Sequence, residues 1–189
     1  MLVISCMRSA SSSMCKALRE YLNLKKAFLQ KRHRDWENNE GIPGYMHYPS
    51  STAIYMSPDL IKSWVTDRTV LCQEHLIPVQ EHREALMSID KEQRKVVIMK
   101  RNAEDSFRSQ MNRNTACAYL SRGKNSEKCL QEFEKFREEV EIMYPEKDGF
   151  LHIEFEDLIS DPDKEIRRVF EYWGFPYDKE LKYEIPHLK

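Results

Sequence analysis

The fold turns on residues 2–22, LVISCMRSASSSMCKALREYL. Leu2–Ile4 is a short apolar run, and Arg8 with the small residues Ser9, Ala10, Ser11, Ser12 and Ser13 makes a turn. Met14, Ala17, Leu18, Tyr21 and Leu22 then recur at helical spacing. This order predicts a strand over Leu2–Ser5, a polar loop, and a helix over Ser12–Leu22. A helix N-terminus presents unpaired backbone N–H groups and a partial positive charge, so it attracts an oxyanion. The serines add hydroxyl donors, and Arg8 can make a charge-assisted bidentate contact. A serine-capped helix beside a solvated arginine fits the same residues, and this stretch alone leaves both open. The pattern G-x-x-x-x-G-K-S/T is absent, which disfavours ordinary ATP or GTP hydrolysis.

Outward from this unit, strand-like and helix-like periods alternate, which predicts an α/β fold: a three-layer parallel sheet with helices on both faces. Lys95–Met99, in KVVIMKRN, reads as a buried strand, with a helix beginning near Ala103. Thr69–Cys72 and Phe150–Phe155 read as further strands, and Val79–Asp90 as helix. Ser57-Pro58 opens a helix, and Ser126–Tyr144 is a long amphipathic one with Phe133, Phe136 and Val140 on its apolar stripe. In SDPDKEIRRVFEYWGFP, Asp161 can cap a helix, Pro162 fits its first turn and Gly174 supplies the stop.

The 189 residues suffice for one core, so a single domain over 1–189 is expected. With 30 basic against 31 acidic residues, the balance argues against a general nucleic-acid binder. Five scattered cysteines without a Cys/His cluster predict reduced thiols, no disulfide framework and no metal site. The absence of a signal-like leader or of an apolar run of spanning length predicts a cytoplasmic chain without a membrane span.

A second anion site is written in VVIMKRNAEDSFRSQMNR. A cation at the end of a buried strand, followed by a helix opening, faces the carboxyl edge of a sheet, where α/β proteins bind ligands. Arg101 lies at that edge and Ser109 on the following helix. Alternatively, Lys100, Arg101, Arg108 and Arg113 only solvate the helix.

Taken together, three blocks in order narrow the choice. CMRSASSSM resembles the 5′-phosphosulfate loop of the sulfotransferases, commonly P-K/R-S-G-T-T; RNAEDSFRS resembles their 3′-phosphate segment, R-N/D-P-x-D-x-x-x-S; FEDLISDPDKEIRRVFEYWGFP resembles their Y-E-D-L-x-x-D-P helix. The chain thus resembles a small, divergent sulfotransferase, which implies the P-loop NTPase-like sulfotransferase fold and 3′-phosphoadenosine 5′-phosphosulfate (PAPS) as donor, with PAP as product and no metal. The resemblance implies that Arg8, Ser9, Ala10, Ser11, Ser12 and Ser13 cradle the phosphosulfate, with Arg8 stabilising charge on the leaving oxygen. It also implies that Arg101 and Ser109 hold the 3′-phosphate and that Phe155 packs beside the base. CQEHLIP resembles the family's T-H-L-P strand end, so His75 is the leading general base and Glu74 the alternative. Residues 31–56, with Trp36, Tyr45, His47 and Tyr48, form an acceptor-side lid or pack onto the core. The implied acceptor is a small molecule or glycan bearing a hydroxyl or amine. Two other readings are a non-catalytic PAP-binding or interaction module that retains the fold, and a divergent P-loop kinase.

Overall fold

A computed structural model describes residues 1–5, 11–22, 25–26, 45–47, 54–56, 58–74, 80–111 and 126–178. Its elements run β1 (Leu2–Ser5), α1 (Ser11–Leu22), β2 (Lys25–Lys26), β3 (Tyr45–His47), β4 (Ile54–Met56), α2 (Pro58–Thr66) and β5 (Val70–Glu74). After these come α3 (Gln80–Met87), β6 (Val96–Lys100), α4 (Ala103–Met111), α5 (Ser126–Met143), β7 (Leu151–Glu154), α6 (Phe155–Ser160) and α7 (Pro162–Trp173). Five strands form one sheet in the order β2-β5-β1-β6-β7, every pair parallel.

The two central strands explain the layers. All residues of β1 and β6 are buried, and a strand apolar on both sides requires cover on both faces. The pleat sorts their side chains into two cores. Leu2, Ile4, Val96 and Ile98 pack with Ile61 of α2, Leu86 of α3 and Phe133, Phe136 and Val140 of α5, with Phe107 of α4 at the margin. Val3, Val97 and Met99 pack with Met14 and Leu18 of α1, Leu158 of α6 and Ile166, Val169, Phe170 and Trp173 of α7. The helix leaving β1 therefore covers one face and the helix leaving β6 the other. Where consecutive connections diverge in this way, a crevice opens between the carboxyl ends of the two strands.

At the amino edge of the sheet, side chains bind loop backbone. The Tyr172 hydroxyl accepts from the Val96 N–H (3.0 Å) and shares its proton between the carbonyls of Arg94 (2.7 Å) and Gly149 (2.8 Å). Arg94 donates to the carbonyls of Asp148 (2.6 Å) and Ile89 (3.0 Å), and Arg83 to the Asp148 carboxylate (3.0 Å) and the Met143 carbonyl. The Met1 ammonium donates to the Asp67 carbonyl (2.9 Å).

The first strand and the long α5 match expectation to within a residue, and α7 has the expected ends. Asp161 accepts the Lys164 N–H (3.1 Å), and Gly174 closes the helix at φ 72°. Three expectations change. The strand read as Phe150–Phe155 ends at Glu154, and Phe155 opens α6, whose first turn holds Glu156 and Asp157 where the helix dipole favours acids. Lys25–Lys26 adds a short strand beside β5, too brief to leave a pattern. The segment 31–56, read as an acceptor-side lid or as packing on the core, contains a two-stranded antiparallel ladder, Tyr45–His47 against Ile54–Met56. Trp36 and Tyr48 lie outside the described residues. No helix among the described residues is long and apolar enough to cross a membrane.

Candidate functional site at the carboxyl edge

The pleat of β6 separates two adjacent cations. Lys100 continues the Val96–Ile98 side, toward α5, and is only 8% exposed. Its ammonium lies 2.9 Å from the Glu141 carboxylate and 3.0 Å from that of Glu154. Arg137 binds Glu154 in a two-pronged contact, 3.1 Å at each oxygen. Two cations and two carboxylates thus neutralise each other. The Lys100 hydrogen bond holds the Glu141 carboxyl below its ordinary range against the opposing effect of burial. Lys100 therefore does not solvate α4, and the surface reading fails for it. Arg108 is exposed and pairs with Asp105 at 3.3 Å, as that reading expects.

Arg101 leaves the strand on the other side, toward α6. Its guanidinium carbon stands 4.0 Å from the centre of the Phe155 ring. Phe155 is buried because α6 begins immediately after β7 without an intervening loop, which turns the ring back against the end of β6. Burial lowers the Arg101 pKa from its ordinary value, while Asp105 and Glu156 oppose that change. An arginine keeps its charge throughout. The result is a cation held flat against an aromatic face, half-buried at the switch-point crevice, an arrangement suited to a phosphate.

The turn after Arg101 is fixed at both its backbone and its side chain. The Asn102 Oδ1 accepts the Asp105 N–H (3.2 Å), capping α4, and the Asn102 carbonyl accepts the Ser106 N–H (3.0 Å). The Asn102 N–H itself donates to Glu156 Oε1 at 3.1 Å. Ser109 is half-buried farther along α4. The fold thus brings Arg101 and Phe155 into contact and puts Ser109 on the helix that follows.

Of the other expected residues, the described structure brings Ser11, Ser12, Ser13 and Glu74 to this edge. Ser11 and Ser12 are the first residues of α1, and Ser13 is half-buried in its first turn. Glu74 ends β5, in register with Ile4 of β1. Arg8, Ser9, Ala10 and His75 lie outside the described residues, as do the side chains of Ser11, Ser12 and Glu74. Sequence reading missed Glu156 and Asn102. Their contact joins segments 54 positions apart, and an acidic residue in a helix's first turn otherwise reads as dipole pairing alone.

On the α5 side, a groove of about 400 Å³ is lined by Lys100, Glu141, His152, Glu154, Asp157 and Arg168, among others. The His152 ring is 2.6 Å from the Tyr144 carbonyl through Nε2, so Nε2 carries the proton when the ring is neutral. Burial lowers its pKa, with the Tyr144 carbonyl opposing. No cluster of His, Cys, Asp or Glu among the described residues could hold a metal ion. Cys15 is a free thiol in the core, its pKa pushed up to about 12 by burial, and is chemically inert there.

Two comparisons bear on identity. The family model of the Sulfotransferase domain matches residues 28–188, most of the 189-residue chain. The match covers β5, the Arg101 turn and α6, and begins after α1. A comparison with curated proteins found no match. The chain belongs to the sulfotransferase family.

Proposed function

We propose, from this membership of the sulfotransferase family, that the chain moves a sulfuryl group from PAPS to a hydroxyl or amine of a small-molecule or glycan acceptor. One observation carries the reading: Arg101, stacked 4.0 Å over Phe155 at the crevice between β1 and β6. A guanidinium already ordered against a ring loses little freedom on binding phosphate, and a 3′-phosphate is the group that distinguishes this donor from ATP.

In this reading, Arg101 and Ser109 hold the 3′-phosphate and Phe155 backs the guanidinium. The start of α1, with Arg8, Ser9, Ala10, Ser11, Ser12 and Ser13, receives the phosphosulfate end through backbone N–H groups and hydroxyls. Arg8 stabilises the negative charge that grows on the bridging oxygen. His75 or Glu74, at the exit of β5 beside β1, takes the acceptor's proton. The donor supplies the activated sulfuryl group, and the chain supplies positioning and charge, as in phosphoryl transfer. No metal enters the scheme.

Calorimetry with PAP, followed by incubation with labelled PAPS and a panel of glycans, phenols and amines, tests the proposal. Micromolar PAP binding and a labelled product are expected. A protein that binds neither PAP nor PAPS would overturn it. PAP binding without turnover, indifferent to replacement of His75 and Glu74, would identify a binding module instead.

A further inference from the structure

We infer that Glu156 is a positioning residue: by holding the Asn102 amide it fixes the exit of β6, and with it the orientation of the Arg101 guanidinium on Phe155. This rests on the reading of Arg101 as the residue that receives the 3′-phosphate. Arg101 is flanked by two anchored neighbours. On one side Lys100 is locked between Glu141 and Glu154. On the other, Asn102 is held by its N–H to Glu156 Oε1 and by its side chain as the cap of α4. Removing the Glu156 contact releases the Asn102 amide and leaves the α4 cap and the Lys100 pairing intact.

The source of the contact matters as much as its length. Phe155 and Glu156 are consecutive at the start of α6, so a single rigid turn supplies both the ring beneath the guanidinium and the acceptor for the next amide. Glu156 is exposed, so its carboxylate keeps water around its remaining lone pairs and holds the amide without burying charge. The strand end and the helix start are thereby joined as one unit, and Arg101 inherits its direction from that unit. The carboxylate also lies near Arg101 and opposes the effect of burial on it.

The test compares Glu156→Ala, Glu156→Gln and Arg101→Ala with the wild type, titrating PAP and 5′-AMP, which lacks the 3′-phosphate. In Glu156→Ala, the PAP affinity should fall on the order of tenfold, the range of one lost charge-assisted hydrogen bond, while 5′-AMP binding holds. Glu156→Gln should restore most of the loss, because its amide oxygen accepts the same N–H. Amide exchange at Asn102 should accelerate in Glu156→Ala and return toward wild type in Glu156→Gln. An unchanged PAP to 5′-AMP ratio in Glu156→Ala, in a protein where Arg101→Ala abolishes that ratio, overturns the inference. So does a glutamine variant as impaired as the alanine one. If the wild type shows no preference for PAP, the donor reading fails. Amide exchange then decides alone, and unchanged protection of Asn102 in Glu156→Ala overturns the positioning role.

Discussion

The two edges of the sheet use their polar side chains differently. At the amino edge, Tyr172, Arg94 and Arg83 reach backbone groups at the start of β6 and in the segments beside it, and Arg83 also pairs with the Asp148 carboxylate, so these segments are pinned to the sheet. At the carboxyl edge, Lys100 pairs with Glu141 and Glu154, Arg101 lies on Phe155, and Glu156 holds a backbone amide, that of Asn102. Backbone satisfaction is a stability device, since an unmet buried amide or carbonyl is expensive. A cation on an aromatic face is a weak stabiliser. The difference teaches that the amino edge chiefly ties loops to the sheet while the carboxyl edge gathers charged groups, and on the proposed function single substitutions move stability or binding, one without the other.

The largest expected separation comes from Tyr172→Phe. It deprives the Val96 amide and the Arg94 and Gly149 carbonyls of one shared partner, and should lower unfolding stability in urea by about 3 kcal/mol. PAP affinity should stay within about twofold of wild type, the ordinary scatter for a remote substitution. An equal loss of both would break the comparison.

The same hydroxyl gives a pH test. Burial is the main influence that pushes the Tyr172 pKa up to about 12, from an ordinary value of 10.0. The folded state thus binds this proton more tightly than the unfolded chain. Its contribution is complete below pH 10 and lost as pH rises through about 12, which amounts to roughly 2–3 kcal/mol. Tyr144, whose pKa burial also raises, adds to the same loss. Chemical unfolding across this window should show a shallower decline in Tyr172→Phe than in wild type. An identical decline would remove Tyr172 as its source.

Arg101→Ala reverses the pattern. PAP binding should weaken by about 1.5–3 kcal/mol, with adenosine 5′-phosphosulfate affected much less. Unfolding stability should change by under about 1 kcal/mol, the range of one exposed-to-half-buried cation–π contact. Equal weakening of both ligands would mean that Arg101 does not read the 3′-phosphate.

A smaller effect is expected from Gly149→Ala. Gly149 has φ 93°, and an added Cβ would lie 2.9 Å from the Lys91 side chain. About 1–2 kcal/mol of destabilisation follows from the backbone conformation, since the lysine can move away. PAP titration should again be unaffected. The smallest effect belongs to His152. Its folded pKa lies below the ordinary 6.5 because of burial, so its contribution is present above that value and declines as pH falls through the folded pKa. His152→Gln should flatten the acid limb of the stability profile without altering its alkaline limb.

Much of the architecture was legible because its signals are local. Strands buried on both faces appear as unbroken apolar runs, as in LVIS and VVIMK. The last helix carries its own start and stop in Asp161, Pro162 and Gly174. Phe155 was misread as strand because its burial and β-prone chemistry suit either element, and only its neighbours Glu156 and Asp157 favour the helix. Arg101 could be located from its position at a strand end. The roles of Lys100 and Glu156 could not, because each depends on partners tens of residues away: Glu141 for one, Asn102 for the other.

The alternation along β6 also sets which insertions and deletions the chain can tolerate. Deleting one residue within that strand would draw Lys100 back to the face that Met99 now occupies and bring Arg101 to the face now held by Lys100. Arginine would then face the carboxylates of Glu141 and Glu154, and the Phe155 ring would lose its cation. A length change in the loop before the strand carries no such penalty, whereas the turn after it is Arg101 and Asn102 themselves, held by Phe155 and Glu156. A one-residue change within the strand thus turns these cations to the opposite face, so register, rather than composition, is the tightest constraint on how this segment can drift.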